Sequence, residues 1–70
     1  MFRRDIPIIQ VDDRFVKAGD PPGRVWVIIR IWTTVDGLLH ARMIGETREG
    51  ETRIISISAL NDPHFFSPAA

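Results

Sequence analysis

Residues 25–33 constrain this chain more than any other segment. Val25-Trp26-Val27-Ile28-Ile29-Arg30-Ile31-Trp32-Thr33 is dense in β-branched and aromatic side chains and contains neither Gly nor Pro. Val and Ile crowd the preceding turn of a helix at χ1 but stand freely on a pleated sheet, so the segment predicts a strand. Asp20-Pro21-Pro22-Gly23 comes before it and predicts a loop.

The rest of the pattern is equally short-ranged. Val35-Asp36-Gly37 separates this strand from a second apolar run, Leu38 to Ile44, and Asp-Gly in that place is a hairpin signal. A charged turn follows, Gly45 to Glu51, with glycines at 45 and 50, and then Thr52 to Ser58 alternates polar with apolar. Residues 25–58 therefore predict a three-stranded antiparallel meander. Arg14-Phe15-Val16-Lys17 predicts a short first strand. Ser58 to Pro63 predicts one helical or 3-10 turn, stopped before the proline. His64-Phe65-Phe66 predicts a last short strand, and 67–70 a flexible tail.

Composition limits the remaining choices. Seventy residues hold one small domain. With 9 Lys+Arg against 9 Asp+Glu, the net charge is zero, which weakens any whole-chain attraction to nucleic acid or anionic membrane. Absence of cysteine excludes a disulfide framework, a thiol nucleophile and a Cys-type zinc site. No apolar run is long enough for a membrane span or a signal peptide, and the expected setting is the cytoplasm.

The order of elements resembles an SH3-like small barrel of the Tudor and KOW type. Three stretches carry the likeness: Asp13-Arg14-Phe15-Val16 at the entry, the long strand 25–33, and Ala59-Leu60-Asn61-Asp62 before Phe65-Phe66. Such barrels often enter on Gly-Asp, where this chain has Asp12-Asp13, and a Gly-Asp occurs later at Gly19-Asp20. The likeness is nearest to small bacterial barrels. It implies an all-β barrel of about five antiparallel strands with one short 3-10 turn, over residues 12–66, after an N-terminal arm, 1–11. Barrels of this kind mostly serve as binding modules for peptides, RNA, DNA or their own copies.

Register decides which side chains share a face. A three-residue loop, Val35-Asp36-Gly37, sets Trp32 opposite His40, Arg30 opposite Arg42 and Ile28 opposite Ile44. Val25, Val27, Ile29 and Ile31 then line the core with Leu39, Ala41 and Met43. A two- or four-residue loop reverses the pairing and brings His40 and Arg42 beside Ile29 and Ile31. The three-residue loop is preferred because it keeps charge off the apolar stripe. It has one cost: Arg30 and Arg42 oppose each other as like charges, and an acidic group would relieve them.

The other face then holds Trp26, Arg30, Trp32, His40 and Arg42, the candidate binding surface, with Ile28 and Ile44. Trp and Arg are enriched at binding hot spots, so the surface favours a protein partner, or a second copy in a homodimer. Nucleic acid is the runner-up, with Phe15 and Arg53 added to the aromatic and basic set. A strand that bends to feed two sheets would instead put Trp26 in the core and let Ile6, Ile8 and Ile9 cover Trp32. No catalytic, cofactor or metal site is expected. His40 and His64 are too far apart in sequence to suggest a metal pair, the serines lack a nucleophile motif, and Asp12 and Asp13 point to opposite faces of a strand.

Overall fold

The computed structural model describes residues 8–21, 23–47 and 50–69. Strands β1 (Arg14–Lys17), β2 (Trp26–Thr33), β3 (Leu39–Gly45) and β4 (Thr52–Ser56) are followed by one turn of helix, α1 (Ile57–Leu60), and a last strand, β5 (Phe66–Pro68). All five strands belong to one antiparallel sheet, ordered β4-β3-β2-β1-β5. Among the described residues β4 does not approach β1 or β5, so the sheet is open at its two edges.

The hairpin between β2 and β3 has the three-residue loop. Gly37 takes φ 85°, the Gly37 N–H donates to the Thr34 carbonyl (2.9 Å), and the Thr34 N–H donates to Leu38 (2.8 Å). A side chain at Gly37 would strain that left-handed backbone. Trp32 lies opposite His40 and Arg30 opposite Arg42, as expected.

Beyond Arg30 the expectation fails. The register shifts between Ile28 and Arg30, so Ile28 pairs with Met43 rather than Ile44, and Trp26 with Gly45. Ile29 is the extra residue of a β-bulge. One inserted residue reverses the in–out parity of everything before it. Trp26 and Ile28 turn into the core, and Ile29, expected inside, is 41% exposed. Val27 is only half-buried, and Leu39, expected inside, is exposed. The gain is physical. An indole buries roughly 200 Å², so seating Trp26 stabilises the fold by ~5 kcal/mol, more than an Ile offers in the same place.

The core is Phe15, Trp26, Ile28, Ala41, Met43, Leu60 and Phe66, with Ile9, Ile31, Ile55 and Ile57 packed around it. Phe15 and Phe66 meet edge to face, 6.5 Å between centroids. Two endings differ from expectation. The helical turn starts earlier, at Ile57, because the Ser56 hydroxyl caps it by accepting the Ala59 N–H (3.2 Å), and it is α rather than 3-10. The last strand starts later. The Asp62 carboxylate accepts the His64 N–H (2.9 Å) and the Asp62 carbonyl accepts from Phe65 and Phe66, which holds 62–65 in a turn. Phe66–Pro68 then pairs with β1, and the Ala69 N–H donates to Arg14 (2.9 Å). Residues 67 and 68, expected in a flexible tail, are strand.

Entry to β1 explains the unusual Asp12-Asp13. Asp12 has φ 80°, the backbone that glycine favours and Asp tolerates. Its N–H donates to the Ile28 carbonyl (2.8 Å), and the Ile28 N–H donates to Asp13 (2.9 Å). Asp13 also receives the Gln10 N–H on its carboxylate (2.8 Å).

Candidate interaction surface

The bulge divides the five residues of the candidate surface. Trp26 leaves it: the side chain is 2% exposed, and its Nε1 donates to the Asp20 carboxylate (3.1 Å). The guanidiniums of Arg24 and Arg53 lie over its ring at 5.2 and 5.3 Å. Arg30, Trp32, His40 and Arg42 stay together on the outer face. Phe15, considered for base stacking, is in the core.

Cross-strand rows define the face. One row runs Trp32–His40–Ser56, the next Arg30–Arg42–Ile54, the next Val27–Ile44–Thr52. Ile54, 57% exposed, is a member that the sequence reasoning missed, although the alternation of Thr52 to Ser58 places it on this side. Arg30 lies over the Trp32 ring at 5.2 Å, a cation–π contact. His40 tilts against the same indole, 6.3 Å between centroids, with Nδ1 3.4 Å from the Leu38 carbonyl. Trp32 is therefore half-covered by its own neighbours. The arm does not supply a lid through Ile8, which is 80% exposed; Ile6 lies outside the described residues, and Ile9 packs on the core.

Electrostatically the face is unbalanced. Among the described residues no carboxylate lies within ion-pair distance of Arg30 or Arg42 on this face, nor of Arg53 on the opposite one. The nearby acidic turn is already engaged. Glu46 holds Arg14 through two charge-assisted hydrogen bonds (2.8 and 2.9 Å), and Glu51 pairs with Arg24. Hydrogen bonding to Arg14 pushes the Glu46 carboxyl below its ordinary range, and the same bond raises the Arg14 guanidinium. At the far turn, the His64 backbone N–H holds the Asp62 carboxyl below its ordinary range. A neutral chain thus keeps its described acids in loops and leaves positive charge on β2, β3 and β4.

Other features offer little chemistry. A groove of about 340 Å³ between the hairpin tip and α1 is lined by Leu38, Leu39, Ile57 and Asn61, with no charged side chain. The described residues contain no group of three or more His, Cys, Asp or Glu that could hold a metal ion. No helix among them is long and apolar enough to cross a membrane. Comparison with known proteins finds no matching family model, no matching curated protein and no matching solved structure.

Proposed function

We propose that this chain is a non-catalytic binding module, an SH3-like barrel whose outer sheet face docks a protein segment bearing carboxylates beside apolar side chains. One observation carries the reading: Arg30 and Arg42 sit directly opposite each other with no acidic partner among the described residues, next to exposed Ile54. Like charges on facing strands cost stability unless something neutralises them, and a partner's carboxylate does so on binding. The barrel reading draws support from the meander β2–β4, the bulge at Ile29 and the contacts of α1 with both edge strands, β4 and β5.

A partner protein is favoured over a second copy. Another copy would bring Arg30 and Arg42 again, while Glu46 and Glu51 are already committed to Arg14 and Arg24. Nucleic acid stays the second reading, because a stacked guanidinium beside His40 also suits a phosphate. Against it, Arg30 and His40 occupy the indole that a base would need.

NMR titrations decide between them. A short peptide carrying glutamates beside an apolar residue should shift Trp32, His40 and Arg42, and its Lys-for-Glu counterpart should not. Single-stranded DNA shifting the same signals, with affinity falling steeply with salt, would favour nucleic acid instead. No response to either ligand would remove the module reading.

A further inference from the structure

The free edge of β4 adds a mode of capture to that face. The Gly45 N–H donates to the Glu51 carbonyl (3.1 Å), so Gly45 and Glu51 form a hydrogen-bonded pair at the start of the β3–β4 ladder. Hydrogen-bonded and non-hydrogen-bonded pairs alternate along antiparallel strands. Met43/Arg53 and Ala41/Ile55 are therefore also hydrogen-bonded pairs, and Thr52 and Ile54 turn their N–H and C=O groups away from β3. β4 is the last strand of the sheet on this side, and no described strand pairs with that edge. An edge of this kind is a template for an added strand.

The side chains around the edge specify what could be added. Ile54 stands on the outer face, 57% exposed, with Arg42 behind it on β3. Arg53 lies on the opposite face, over Trp26, without a carboxylate partner among the described residues. A second β4 paired about a two-fold axis would set Arg53 on that inner face against Ile55, another Arg53, or Glu51, whose carboxylate already holds Arg24. Inward charge on an edge strand opposes such pairing. A strand with an acid opposite Arg53 turns the same charge into an attraction.

We propose that β4 captures an extended acidic peptide as a further strand, with an apolar residue against Ile54 and glutamate or aspartate against Arg53. Acids two positions along on the outer face lie roughly 10 Å from β3, a gap that Glu and Arg side chains span together to reach Arg42. Backbone bonds from Thr52 and Ile54 fix the strand, and Arg42 and Arg53 select its charge. This inference rests on the reading of the outer face as an acidic-partner surface and adds the edge as the means of holding that partner.

The probe is a blocked peptide with a central valine flanked on each side by two glutamates. Three readouts separate the possibilities: amide hydrogen exchange of the free and bound protein, the same peptide N-methylated at valine, and the variant Ile54→Pro. The Ile54 N–H faces the open edge, so proline there removes no β3–β4 bond. Strand capture predicts that Thr52 and Ile54 amides exchange freely alone and become protected in the complex. It predicts that N-methylation or Ile54→Pro weakens binding roughly tenfold or more. If the N-methylated peptide binds equally well and still shifts Arg42, the edge inference is overturned while the outer-face reading stands. If neither peptide binds, both fall. If Ile54 becomes protected with rising protein concentration and no peptide, the edge pairs with a second copy, which also overturns the proposal.

Discussion

Ile28 and Ile29 are adjacent and chemically identical, which makes them a direct probe of the bulge. Ile28 is fully buried against Met43, whereas Ile29 is 41% exposed at the bulge. Truncating a buried Ile to Ala costs ~2–5 kcal/mol, because the lost transfer energy is joined by the cavity left behind. For Ile29 only part of the side chain leaves water, and the neighbours can relax into solvent, so Ile29→Ala should cost ~1 kcal/mol. At ~4–8 °C per kcal/mol in a domain of this size, Ile28→Ala should lower Tm by at least ~10 °C and Ile29→Ala by only a few degrees. Urea unfolding followed by Trp fluorescence measures both, with the slope serving as a check that the two-state transition is kept. A straight, unbulged strand makes the opposite forecast, with Ile29→Ala the damaging change. Equal losses, or a larger loss at Ile29, would refute the parity switch.

Asp12→Gly should raise stability by ~1 kcal/mol, since glycine adopts the left-handed backbone at φ 80° without the penalty of a side chain; a loss in thermal unfolding would show that the Asp12 side chain matters more than its backbone. Ser56→Ala removes the cap of α1 and should cost ~1 kcal/mol, measurable as a lower urea midpoint; an unchanged midpoint would mean the cap adds nothing. The Glu46–Arg14 pair gives a pH signature. Because the folded carboxyl is depressed, its contribution is present above the ordinary carboxylate range and lost as pH falls through the folded value. Glu46→Gln should therefore be less stable than wild type at neutral pH and converge with it in acid. A gap that persists at low pH would point to a cause other than ionisation.

Local pattern made most of the sheet legible. β1 was readable to the residue in Arg14–Lys17, and the three-residue hairpin in Val35-Asp36-Gly37 fixed the pairing of Trp32 and Arg30. Ile29 was not readable, because strict alternation is the default along an apolar run. Trp26, Ile28 and Val27, Ile29 are interchangeable as apolar stripes. Only the competition to seat the indole against Met43, Leu60 and Phe66 breaks the tie, and that competition is tertiary. The same limit affected the end of the chain. His64 and Phe65 have strand-like neighbours, but the Asp62 carboxylate and carbonyl bind the following N–H groups and delay β5. Of the candidate surface, Arg30, Trp32, His40 and Arg42 followed from the hairpin, while Trp26 depended on the bulge and Ile54 on the register of β4.

Arg42→Glu tests the central claim, that the outer face holds positive charge in want of an acidic partner. An acid opposite Arg30 converts repulsion into attraction, so the variant should be more stable than wild type at low salt by ~0.2–1 kcal/mol. That gain should shrink as added salt screens the pair. The same sample should lose binding to the glutamate-flanked peptide. Greater stability with lost binding is the predicted result. A variant that is less stable at low salt, or that binds the peptide as well as wild type, would contradict the account.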